Sequence, residues 1–257
     1  MTNIYLMRGN NGEETAKKDG ITAIVVDALR ASATLLTLLE SGAKEVIITS
    51  TLDDSYKVHK DYKDSLLVGE RDNLPPDGFS FGNSPLDILA NSKDIEGKTV
   101  IFTTSNGAKR LINTKNENND VFVGTIANKN IIARYVAKTS GDIIIISSGE
   151  YGNEDYISLE DDLASCLISE QIIKTNSNFK ISKNSDINYQ AVLEKLKLNT
   201  IDELFLSSPH GKKLRAQNLG KDIYYCASDI QKCVLPKVTN FIKLNDKIIG
   251  VIVENRY

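Results

Sequence analysis

Carboxylates, guanidinium groups and small hydroxyl or amide side chains stand together just after several short apolar runs, a combination suited to binding and cleaving an anionic ester. Asp27 and Arg30 follow AIVV, Glu70 and Arg71 follow LLVG, and Thr104, Ser105, Asn106 and Gly107 follow VIFT. Ser158-Leu159-Glu160-Asp161 follows IIIISSG and a glycine-containing loop. A carboxylate at the end of a buried strand is costly unless a cation or several donors compensate it, and Mg²⁺ with its oxygen ligands meets that need. The competing reading of Asp27 is an N-cap for the helix that follows. Arg30, about one turn further on, reaches the same pocket as a fork for an anion or pairs internally with Asp27.

TTSNGAKR (103–110) has the physics of a phosphate cradle, because free N–H groups at a helix start attract anions. The same Ser-Asn-Gly also serves as a plain turn and cap. Neither GxxxxGK[ST] nor GxGxxG occurs, which weighs against a nucleotide site. Ser158-x-x-Asp161 is helix-capping chemistry, yet Glu160, Asp161 and Asp162 concentrate negative charge at that helix start. His59 lies in a polar stretch and reads as a surface residue, whereas His210, in a Ser-Pro-His-Gly turn beside Lys212 and Lys213, is a candidate anion contact. Cys166, Cys226 and Cys233 form no CxxC pair and read as buried structural residues in a reducing compartment.

Repeated strand-loop-helix units must hold these groups in place. They run over 22–42, 98–113, 120–138 and 142–172, with further strands at 45–49 and 66–70. Uninterrupted apolar runs such as Ile143–Ile146 suit strands covered on both faces. The fold class is therefore α/β, three layers of mostly parallel or mixed sheet covered by helices. Helical patterns follow at 189–196 and 201–206, and two extended runs around Asn245-Asp246 form a C-terminal hairpin. The chain is expected to be a single unit, 1–257, in which the polar stretch 175–188 is either a mobile surface loop or the boundary between two α/β lobes. Ligands of open α/β sheets bind at the carboxyl ends of strands, which is where the polar groups above collect.

With 31 Lys+Arg against 34 Asp+Glu, a net charge of −3 and no basic stripe, the chain lacks the positive field that nucleic-acid binding needs. No run of about 20 apolar residues exists to span a membrane. A cytoplasmic protein is expected, with a homo-oligomer as the default state.

Five segments taken in order, VVDALRASAT (25–34), GERDN (69–73), FGNSPLD (81–87), TTSNGAKR (103–110) and SLEDDLAS (158–165), resemble the 2-phosphosulfolactate phosphatase family, as do SPHGKKLRAQNLGKDIYYCASD (208–229) and Val234-Leu235-Pro236. The resemblance extends over nearly the whole chain. It implies a Mg²⁺-dependent phosphatase that converts 2-phospho-3-sulfolactate to 3-sulfolactate on the way to coenzyme M, on an α/β fold of its own type. The family usually carries Thr where this chain has Ser32 and Ser105, and a hydroxyl residue where Ala108 stands. Its substrate holds a carboxylate, a sulfonate and a phosphate worth roughly −1.5 to −2, about −4 in all. An acidic protein attracts such an ion only through a locally positive site. On this reading Asp27, Glu70 and Asp161 hold Mg²⁺, and Arg30 and Arg71 clamp the anion. Asn83, Ser105, Asn106, Gly107 and His210 contact the substrate, and Asp27 is the nucleophile if a phospho-enzyme forms. The alternatives are a phosphatase for another phosphorylated hydroxy acid, or a non-catalytic protein that binds an anionic metabolite without metal.

Overall fold

The computed structural model describes residues 1–139 and 141–256. Strands β1 to β10 span Thr2–Arg8, Thr22–Val26, Glu45–Thr49, Leu66–Gly69, Thr99–Thr103, Val121–Val123, Ile143–Ser147, Phe179–Ile181, Pro236–Leu244 and Lys247–Asn255. Helices α1 to α12 span Gly9–Asp19, Ala31–Glu40, Leu52–Asp61, Pro85–Ala90, Ser92–Ile95, Gly107–Thr114, Lys129–Val136, Leu159–Thr175, Tyr189–Leu198, Ile201–Ser207, Pro209–Ala216 and Gly220–Ala227.

All ten strands join one mixed sheet in the order β4-β5-β3-β10-β9-β6-β2-β7-β1-β8. Two blocks are parallel within themselves: β4-β5-β3 and β6-β2-β7-β1-β8. The β9–β10 hairpin lies between them, antiparallel to β3 on one side and to β6 on the other. Its two-residue loop is Asn245-Asp246, both at positive φ (48° and 62°), the backbone that fits the twist of a tight hairpin. β2 and β7 are buried almost throughout, so their runs of Val and Ile meet apolar neighbours on both faces.

The chain crosses from one block to the other through α2, between β2 and β3, and through α6, between β5 and β6. α2 is buried from Ala31 to Leu39. It packs with α6 residues Ala108 and Leu111 and with Val25, Val46, Phe102 and Val123 from both blocks in one core. Burying a leucine such as Leu35 or Leu38 there contributes about 1.5–3 kcal/mol. Both crossing helices start at the carboxyl ends of strands, so the same core that joins the blocks also fixes what their first turns present.

β1 is seven residues long, and β8 falls within the polar stretch 175–188, pairing with β1 at the sheet edge. The Ser-Pro-His-Gly segment is a helix start rather than a turn: Ser208 caps α11, accepting from Gly211 N, with Pro209 at a position where its missing N–H costs nothing. All three cysteines are free, and Cys233 is exposed rather than buried. Among the described residues no helix is long and apolar enough to cross a membrane.

Candidate active site

A polar cleft of about 140 Å³ opens where β2, β4, β5 and β7 end, closed on another side by the start of α8 and by α11. Six acids line it: Asp27, Glu70, Asp72, Glu150, Glu160 and Asp161. Ser105, Asn106, Asn73, Tyr156, Ser158, His210 and Lys213 complete most of the wall.

Asp27 sits between the two crossing helices. Its Oδ1 accepts from Ala31 N at 3.3 Å and its Oδ2 from Gly107 N at 2.9 Å, so one carboxylate caps both α2 and α6. Its own N–H donates to Ser32 Oγ at 2.9 Å. The capping and ligand readings of Asp27 are thus compatible, since the same group caps two helices and faces the cleft. Burial pushes its carboxyl up to about 6, and the nearby Glu70 adds to this, while the two N–H donors oppose it.

Glu70 is placed by a close approach of backbone. Gly69 has φ +144°, and a Cβ there would lie 1.9 Å from Thr103 O, so only glycine lets β4 end against β5 in this way. Glu70 Oε1 accepts from Ser105 N at 2.7 Å, and Oε2 accepts from Asn73 N at 3.0 Å and Ser105 Oγ at 3.2 Å.

Asp161 accepts from Ala28 N (2.7 Å) and Gly149 N (3.0 Å), which pins the start of α8 to the ends of β2 and β7. Burial holds its carboxyl well above the usual range, and Asp27 and Glu160 push the same way. Glu160, 1% exposed, is raised to about 7, chiefly by burial. Its Oε2 has no hydrogen-bond partner among the described residues. These carboxylates therefore repel one another in a desolvated place, a situation that a bound cation relieves.

The cradle foreseen in TTSNG is occupied by the protein's own acids: the N–H groups of Ser105 and Gly107 serve Glu70 and Asp27. Asn106 accepts from Tyr151 N through its Oδ1, and its side-chain amide donors remain for a ligand in the cleft that it lines. Ala108 lies in the apolar core beside α2 and does not line the cleft, so the hydroxyl missing there is remote from a ligand.

Neither arginine expected to clamp an anion lines the cleft. Arg30 is 2% exposed and donates to Asp222 Oδ2 at 2.6 Å and to Asn73 O at 3.1 Å. Arg71 turns back onto its own strand end, donating to Glu70 O and Thr103 Oγ1. Arg30 nevertheless acts on the site through Asn73, whose N–H meets Glu70 and whose Oδ1 meets His210 Nε2 at 3.1 Å. Asn83 is buried outside the cleft with an unpartnered Oδ1, next to Ser84, which bonds Asp222.

His210 does line the cleft. Burial lowers its pKa to about 4, helped by Arg30 and Lys213, so at neutral pH the ring is an uncharged hydrogen-bonding group. A base whose folded pKa lies below its unfolded value near 6.5 adds stability above that value and loses it as pH falls toward 4. Urea unfolding of His210→Gln is accordingly expected to show a flatter loss of stability between pH 6.5 and 4 than the parent; an unchanged profile would remove this assignment.

Tyr156 is a lining group with no role assigned from sequence, where Lys213 figures only as a neighbour of the His210 turn. Tyr156 and Glu150 sit on a loop anchored from behind by Arg110, which donates to Ser148 O and Glu13 and lies against the Tyr151 ring. Because the segment is a helix rather than a turn, the spacing of three from His210 puts Lys213 on the same helix face.

Among the described residues no group of three His, Cys, Asp or Glu side chains stands ready to hold a metal ion, Asp27, Glu70 and Asp161 included. The donor chemistry nonetheless fits magnesium. Mg²⁺ prefers hard oxygens, keeps several waters and takes one or two carboxylates plus substrate phosphate, and the unpartnered buried oxygen of Glu160 is such a donor.

The family model for 2-phosphosulpholactate phosphatase matches residues 9–240. Proteins described as probable 2-phosphosulfolactate phosphatases are similar along most of their length. The one from Clostridium acetobutylicum is 32% identical over 222 residues, covering 85% of this chain and 90% of its own. The one from Clostridium novyi is 33% identical, covering 85% and 91%, and the one from Clostridium tetani is 29% identical, covering 90% and 94%. With a matched segment that contains every acid of the cleft, this chain belongs to the 2-phosphosulfolactate phosphatase family.

Proposed function

We propose that the protein hydrolyses 2-phospho-3-sulfolactate to 3-sulfolactate and phosphate with the help of Mg²⁺. The observation that carries this reading is the convergence of Asp27, Glu70 and the adjacent pair Glu160-Asp161, from three segments of the chain, on one small polar cleft in a member of this family. Six acids facing a substrate of about −4 would repel it, so the site calls for a cation between protein and ester. Asp27, Glu160 and Asp161 are the residues that would hold Mg²⁺, directly or through water, with Glu70 supporting from the neighbouring block. Bound there, the ion would supply charge neutralisation on the phosphoryl oxygens.

The chain's own residues orient the reactants. Asn106 offers its amide donors to the ester, and neutral His210, whose Nε2–H is held by Asn73 Oδ1, leaves Nδ1 as an acceptor for a water or hydroxyl group in the cleft without adding charge. The double cap on Asp27 fixes its carboxylate before substrate arrives, so little reorganisation is needed in the reaction. The product then belongs to the route to coenzyme M, and the enzyme works in the cytoplasm.

The test is initial-rate phosphate release from 2-phospho-3-sulfolactate, 2-phospholactate and phosphoglycolate, each with Mg²⁺ and with EDTA. Turnover that prefers the sulfonate and disappears with EDTA is the expected result. Equal or better turnover of the other esters would contradict the substrate, and full activity in EDTA would contradict the metal.

A further inference from the structure

Among the described residues that line the cleft, Lys213 is the one Lys or Arg. It follows His210 by three positions on α11, so the two side chains leave the same face of the helix. The arginines of the region are committed: Arg30 to Asp222 and Arg71 to Glu70 O and Thr103 Oγ1. Lys213 is exposed, and among the described residues it has no acidic partner within salt-bridge distance. In a wall otherwise rich in carboxylates, its ammonium is the place where a further anion meets attraction from the protein itself.

The ester of the proposed reaction has such an anion. A sulfonate is a fixed negative charge with three weakly basic oxygens. It gains little from the cation that neutralises the phosphate, and it is repelled by Glu150 and Asp72 on the same wall. An ammonium with three rotatable donors suits a group of that shape. We infer that Lys213 is a specificity-determining residue that receives the sulfonate of the substrate. The inference rests on the phosphatase reading given above and adds to it the protein group that separates a sulfonated ester from its unsulfonated analogue.

The test compares parent, Lys213→Met and Lys213→Arg on 2-phospho-3-sulfolactate and 2-phospholactate, which lacks only the sulfonate. Lys213 is exposed, so both variants are expected to fold. The ratio of kcat/KM for the sulfonated over the unsulfonated ester should fall about tenfold in Lys213→Met, carried by KM, a typical loss for one exposed charge-assisted contact. Lys213→Arg should restore most of it. An unchanged ratio, whether both rates fall together or neither does, overturns the inference.

A second arm needs no turnover: calorimetric binding of 3-sulfolactate and of lactate to the Mg²⁺-loaded proteins. Weaker binding of 3-sulfolactate to Lys213→Met, with no matching change for lactate, supports the inference even if phosphate release fails and the phosphatase reading with it. Equal binding to parent and variant, or binding to neither, overturns it.

Discussion

Asp27→Asn should lower kcat/KM for the phosphate ester by at least about a hundredfold, roughly 3 kcal/mol of transition-state stabilisation, while the protein stays folded. Asp27 is felt by the other acids of the cleft: its charge raises both Glu160 and Asp161. The amide is nearly isosteric, keeps an oxygen for one of the two helix caps and removes one charge from a crowded buried group. The other cap would then face an amide donor, a cost of about 1 kcal/mol, offset in part by the relief of repulsion. Steady-state kinetics beside circular dichroism and thermal unfolding check this. A folded variant with near-parent kcat/KM would remove Asp27 from the chemistry.

Asp222→Ala should cost about 3–5 kcal/mol of stability, because it leaves the guanidinium of Arg30 buried without its counter-charge. The pair is 2.6 Å apart with both side chains nearly inaccessible, and Ser84 Oγ donates to the other oxygen of Asp222 at 2.8 Å. For a chain of this size the loss corresponds to a Tm lower by roughly 10 °C. Because Arg30 also holds Asn73, which holds Glu70 and His210, activity at permissive temperature should fall as well. The double variant Arg30→Met with Asp222→Leu should recover much of the stability but not the activity, since apolar groups can replace a buried pair yet cannot fix Asn73. A single variant that loses less than about 1 kcal/mol in urea titration would show that the pair is not the support it resembles in the structure.

The α/β class and most strands were legible because the runs AIVV, VIFT and IIII are buried on both faces and so carry no polar alternation to obscure them. The Asn245-Asp246 hairpin was legible through turn chemistry alone. β8 was not, since a three-residue edge strand in a polar stretch has only Phe179 buried. The position of Asp27, Glu70 and Asp161 followed from the rule that polar groups after buried strands meet at one end of a sheet. The roles of Arg30 and Arg71 did not follow, because spacing shows that an arginine can reach a pocket but not what else competes for it. Asp222, the partner of Arg30, is 192 positions away. The same limit hid the fate of the TTSNG amides, which the sequence offers to any anion and the fold gives to Glu70 and Asp27.

The most direct test of the central claim is a crystal structure of the protein with Mg²⁺ and the product 3-sulfolactate. The metal is expected on oxygens of the Asp27, Glu160 and Asp161 group and the product in the same cleft beside Asn106 and His210. Product and metal bound elsewhere, with this cleft holding only water, would contradict it.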